Sequence, residues 1–111
     1  GIVSYANEAK NRLLEVPDET ISRHGAVSET VVTLMAAHCR KVFGSDYAIA
    51  TSGIAGPEGG TPEKPVGTTW IAIASPDGIW AKQYLFGDNR ERNIRRTALE
   101  ALMRLCKLIL K

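Results

Sequence analysis

The 111 residues predict an α/β layered domain with a mixed sheet. Helix-like and strand-like stretches alternate along the chain. A tight Ser75-Pro76-Asp77-Gly78 turn joins two strand-like runs and forces one antiparallel pair, and an amphipathic run closes the chain.

Taken in order, residues 2–6 read as a short strand. The run opened by Asn7-Glu8-Ala9-Lys10 reads as a helix in which Ala9, Leu13 and Leu14 share a face. Pro17 suits the first turn of a short helix over residues 17–23, and Gly25 is placed to cap it, which makes His24 a helix-end residue rather than a catalyst. Ser28 is the expected N-cap of the next helix. Val31, Leu34, Met35, Cys39, Val42 and Phe43 follow at three- and four-residue spacings, with Gly44 after them. His38 lies in that helix without a second ligand at i+4, so no metal is assigned to it.

Residues 47–51 form a short apolar run bounded by Asp46 and Gly53, the pattern of a buried strand. Residues 70–74 and 79–85 are strand-like and flank the tight turn, which predicts an antiparallel hairpin. In the closing helix, Ile94, Ala98, Ala101, Leu102, Leu105, Leu108 and Ile109 fall on one face, while Arg92, Arg95, Arg96 and Arg104 fall elsewhere.

The length fits one domain, and 44% hydrophobic with 23% charged residues excludes general disorder. The formal net charge of +2 is unevenly spread: residues 88–111 hold seven Lys/Arg against three Asp/Glu, so the remainder stands at −2. The basic charge reads as the solvated face of a helix. It lacks the aromatic–basic interleaving of single-strand binders, so no nucleic-acid partner is expected. Apolar runs fall far short of the roughly 20 residues a membrane span needs. Cys39 and Cys106 sit inside helical apolar patterns with no C-x-x-C spacing, and read as buried free thiols of a reducing cytoplasm. Gly1 leads directly into what looks like a strand interior, so the start of the domain is expected to lie upstream.

Residues 51–67 contain five glycines and three prolines. Glycine lets backbone approach a ligand and present N–H groups to an anion, and Lys64 offers a counter-charge, so the stretch is a candidate phosphate cradle, with a rigid surface loop as the competing reading. It is not a Walker A loop, because Pro65 follows Lys64, and it does not match G-x-G-x-x-G. Tyr5 and Lys10 span a strand-to-helix junction, where side chains gather at the carboxyl end of a strand. A desolvated lysine there can deprotonate a serine, although no partner serine is evident in the chain.

Four blocks in order, Ser4-Tyr5-Ala6-Asn7-Glu8-Ala9-Lys10, His24-Gly25-Ala26-Val27-Ser28-Glu29, Ser52-Gly53-Ile54-Ala55-Gly56-Pro57 and Glu63-Lys64-Pro65-Val66-Gly67, resemble the C-terminal domain of the CinA (competence/damage-inducible) family. The resemblance continues through Gly87-Asp88 and the arginines after it, so residues 1–111 read as one partial domain of that kind. It implies a three-layer α/β/α sandwich and hydrolysis of nicotinamide mononucleotide to the acid and ammonia, in pyridine nucleotide recycling and without metal or organic cofactor. By resemblance, Lys10 is the general base for a serine nucleophile, Tyr5 assists, and Ser52 bonds the substrate or intermediate. Gly53, Ala55 and Gly56 supply backbone donors, and Arg90 or Arg92 contacts the substrate phosphate. The family's nucleophile lies in a Glu-Ser-Cys-Thr-Gly-Gly motif that these 111 residues do not contain, so the chain alone is expected to be inactive. A non-catalytic nucleotide-binding or regulatory module is the alternative. A sheet edge and apolar helix face left uncovered favour pairing, so a homodimer is expected.

Overall fold

The computed structural model describes residues 16–110, which order as two helices, three strands and a closing helix. Helix α1 spans Asp18–His24 and α2 Glu29–Phe43; strands β1, β2 and β3 span Ala48–Gly53, Thr68–Ser75 and Gly78–Leu85; helix α3 spans Arg90–Ile109. The strand expected over residues 2–6 and the helical run after it lie outside the described residues.

Local chemistry sets the boundaries. Gly25, at φ 81°, stops α1 and donates its N–H to the Ile21 carbonyl. The Ser28 hydroxyl caps α2 by accepting from the Val31 N–H at 3.3 Å, and left-handed Gly44 ends that helix. The turn after β2 brings Ser75 opposite Gly78, and the hairpin runs antiparallel from there to Thr68 opposite Leu85.

The sheet order is β1-β2-β3, and both pairs are antiparallel. The α/β class holds. A parallel pair, which would make the sheet mixed, is not present among the described strands, and the segment expected to supply it lies outside them.

Register shows how the layers form. Ala50, Ala72 and Ala81 lie side by side across the three strands, and Ala48 stands beside Ala74. This alanine face meets Val31, Val32, Met35 and Ala36 of α2, with Val16 and Ile21 of the α1 region completing the core. The alternate positions, Ile71 and Ile73, are fully buried on the opposite face, where α3 crosses β1 and β2. Each large buried aliphatic contributes about 1.5–3 kcal/mol.

Helix α3 departs from the sequence expectation. The buried positions are Asn93 and Ala101, whereas Ile94, Leu102 and Ile109 are each more than half exposed. The stripe that meets the sheet is thus set one residue back from the most apolar one. Polar Asn93, Thr97 and Arg104 share it, and the guanidinium of Arg104 lies 4.4 Å from the Trp80 ring centroid. Cys106 sits on the outer flank and is exposed, and Cys39 is half-buried, which corrects the expectation of two buried thiols. No helix among the described residues is long and apolar enough to cross a membrane.

Candidate functional site

Where β1 ends, the chain leaves the sheet through Gly53 into the glycine-proline loop, and the first two turns of α3 stand beside it. Between them is a cleft of about 330 Å³ lined by Thr51, Ser52, Gly53, Ala55 and Thr69 on one side and Asn93, Ile94, Thr97 and Ala98 on the other. Three of the residues picked from sequence, Ser52, Gly53 and Ala55, share its wall.

The loop is fixed from several directions. Ile54 is tied to the sheet by its N–H to the Thr68 carbonyl at 2.9 Å and by its carbonyl accepting from the Gly67 N–H at 2.7 Å. The Ser52 hydroxyl donates to the Ala26 carbonyl at 2.9 Å, and its lone pairs remain available to a ligand donor. Arg90 donates through Nη1 to the Gly56 carbonyl at 2.9 Å. Gly56 is buried at φ 98°, with the Val66 side chain in the place a Cβ would take, so only glycine fits there. The N–H groups of Ala55 and Gly56 meet no acceptor among the described residues.

Arg90 and Arg92, the first and second phosphate candidates in the sequence, separate in space. Arg90 reaches the loop. Arg92 lies with Asn89, Glu91, Arg95 and Arg96 in a different cleft, its backbone N–H taken by the Asn89 cap at 2.9 Å. Lys64 is also apart from the cleft. Its ammonium donates to the carbonyls of His24 at 3.0 Å and Val27 at 2.8 Å, fastening the loop to the connection between α1 and α2. Tyr5 and Lys10 lie outside the described residues.

Asn93 was not legible as a site residue. It is 2% exposed, and its Nδ2 donates to the carbonyls of Ala55 and Gly87, both at 2.9 Å. Only the position of a polar residue on the stripe Asn93, Thr97, Ala101 hinted at it.

The order of these elements and the loop match known proteins closely. The family model described as the CinA C-terminal domain matches residues 1–109. The chain belongs to that family. A CinA-like protein of Parasynechococcus marenigrum is 48% identical over 99% of this chain and 27% of its own length. A putative competence-damage inducible protein of Symbiobacterium thermophilum is 46% identical over 99% of the chain and 28% of its own length. This CinA domain thus spans about a quarter of those relatives. Among solved structures, the competence damage-inducible protein A of Klebsiella pneumoniae superposes with a TM-score of 0.91 at 36% identity, over 97% of this chain and 67% of that one. The competence or damage-inducible protein of Enterobacter asburiae gives 0.89 at 37% identity, over 95% and 66%. The CinA fold therefore extends to these residues at both the sequence and the coordinate level.

Proposed function

We propose that this CinA domain is the deamidase part of a nicotinamide-nucleotide amidohydrolase, which converts nicotinamide mononucleotide and water to nicotinate mononucleotide and ammonia. The observation that supports the reading is the cleft at the end of β1, with Ser52 and Ala55 on its wall, next to a loop whose Ala55 and Gly56 N–H groups meet no acceptor among the described residues and whose Gly56 carbonyl Arg90 holds. A hydroxyl whose lone pairs are open can accept from the N–H of a carboxamide, and backbone N–H groups and an arginine on one loop suit a phosphate.

In this reading a serine of the Glu-Ser-Cys-Thr-Gly-Gly segment attacks the carboxamide carbon as Lys10 takes its proton, with Tyr5 assisting. The tetrahedral intermediate collapses as the nitrogen receives a proton and leaves as ammonia. Water then cleaves the acyl-serine ester to release the acid and restore the serine. Neither metal nor organic cofactor is needed for such acyl transfer. Arg90 serves the phosphate in preference to Arg92, because it alone of the two touches the loop. Lys64 is assigned a structural part, because its ammonium already serves two carbonyls. The setting is pyridine nucleotide recycling in the cytoplasm.

The test is ammonia release from nicotinamide mononucleotide by a chain extended upstream to carry the Glu-Ser-Cys-Thr-Gly-Gly segment, beside the 111-residue chain and a Lys10→Ala form of the longer one. Activity in the unmutated longer chain alone supports the serine–lysine mechanism. A folded longer chain that releases no ammonia would move the assignment to a nucleotide-binding module.

A further inference from the structure

Among the described residues, no charged side chain lines the cleft at the end of β1, although arginines crowd the start of the helix that forms one of its walls. What lines it is oxygen. The strand register sets Thr51 beside Ile71 and Gly53 beside Thr69, on the face that α3 crosses, and Asn93 and Thr97 come from α3 itself. Gly53 is not left-handed, so glycine is there for room: a Cβ would stand 2.8 Å from Thr69 Oγ1. Ile94, more than half exposed, and Ala98 add an apolar strip to the α3 wall.

Most of those oxygens can only accept. Ser52 spends its hydroxyl hydrogen on the Ala26 carbonyl at 2.9 Å, Thr69 on that of Gly67 at 3.2 Å and Thr97 on that of Asn93 at 2.7 Å. Asn93 turns Nδ2 to the Ala55 and Gly87 carbonyls, and its Oδ1, diverging from Nδ2 across the amide carbon, is buried without a partner. The orientation is forced, because the flipped amide would set its oxygen against two carbonyl oxygens. A buried acceptor without a donor is costly, and a donor brought by a ligand removes that cost. Among the lining hydroxyls only Thr51, which is exposed, keeps its hydrogen unspent.

One donor, several acceptors and an apolar strip complement a carboxamide carried on a flat ring. A carboxylate fails there, because its second oxygen would face acceptors, and a phosphate fails for the same reason. The absence of cationic side chains also leaves the positive charge of a ribosylated nicotinamide ring unopposed. We propose that this cleft is the subsite for the nicotinamide ring: the ring lies on Ile94 and Ala98, Thr51 donates to the carboxamide oxygen, and Asn93 Oδ1 accepts from the carboxamide N–H, so that the cleft selects amide over acid. This rests on the nucleotide reading above and deepens it, and it keeps the phosphate outside the cleft.

Amide NMR of the full chain tests it with three probes: nicotinamide riboside, nicotinate riboside and inorganic phosphate. Nicotinamide riboside is expected to shift the Thr51, Gly53 and Thr69 backbone signals and the Asn93 side-chain amide together. Nicotinate riboside should bind about tenfold more weakly, and phosphate should leave these signals unmoved. Thr51→Val, a residue at home on an exposed strand position, should weaken nicotinamide riboside about tenfold, the loss of one hydrogen bond, and Thr51→Ser should restore it. Equal affinity for the two ribosides, stationary Asn93 signals, or cleft residues that respond to phosphate would overturn the proposal without any variant having to fold. The deamidase reading is decided separately, by ammonia release from the longer chain. An inactive longer chain that still prefers nicotinamide riboside at these residues loses the enzyme and keeps the subsite, whereas an active one whose affinity is untouched by Thr51→Val keeps the enzyme and loses the subsite.

Discussion

Replacing Lys64 by methionine keeps most of the aliphatic stem and removes the ammonium that fastens the loop to the α1–α2 connection. Two hydrogen bonds disappear, one to Val27 in a half-buried setting and one to His24 in an exposed one. A bond from a charged donor is worth about 1.5–3 kcal/mol when sheltered, and solvent lowers the exposed one, so the pair together contributes about 2 kcal/mol. For a domain of this size that is a fall in Tm of roughly 8–10 °C. Thermal unfolding followed by circular dichroism reads it directly, and proteolysis between residues 54 and 67 should accelerate in parallel. Arginine should rescue poorly, because the ammonium sits so close over Gly25 that a Cβ there would lie 2.9 Å from it, leaving no space for a planar guanidinium. An unchanged Tm in Lys64→Met, accompanied by weakened phosphate binding, would refute the reasoning and return Lys64 to the counter-charge expected from the sequence.

Gly67→Ala is expected to destabilise by about 3 kcal/mol or more, since φ there is 95° and a Cβ would run into the Gly87 backbone; a urea midpoint equal to the parent's would contradict this. Burial first, and then the Glu100 charge, push the Tyr84 phenol above its ordinary value of 10.0 against the opposing effect of Arg104. The folded state thus favours the neutral phenol, so this contribution is intact below the ordinary tyrosine pKa and is lost as pH rises through the raised one. Glu100→Gln should lower the alkaline midpoint of Tyr84 in a spectrophotometric titration, and an unmoved midpoint would exclude the Glu100 contribution. The exposed stripe of Ile94, Leu102 and Ile109 should drive self-association of the 111-residue chain, which Leu102→Glu should abolish; sedimentation of the parent as a monomer at micromolar concentration would count against the expected homodimer.

The parts legible in the sequence were those whose cause is local. Ser28 and Gly44 bound α2 within a residue of expectation, and Ser75 to Gly78 announced the hairpin, because caps and turns are written in neighbouring residues. The glycine-proline loop was likewise visible as a shaped connection and a candidate site, since its composition is itself the geometric requirement. What escaped depends on distant partners. The carbonyls that hold Lys64 lie 37 and 40 residues away. Asn93 was hidden because the apolar moment of α3 points along Ile94 and Leu102, one residue off the stripe that meets the sheet. That Arg90 and not Arg92 meets the loop emerged only when the loop and helix were placed side by side.

The alanine face beneath α2 has a mechanical consequence. Methyl groups at Ala48, Ala50, Ala72, Ala74 and Ala81 make a nearly smooth floor under the middle of the helix, with Trp70 packed at its edge. Such a surface lets a helix lie close but does little to fix where along the strands it stops. The stop is supplied at one end, by Ser52 on Ala26 and Lys64 on Val27. The stretch from Ser52 to Lys64 is therefore also the latch that holds the start of α2, so a change that reshapes this loop is expected to shift the helix along the strands.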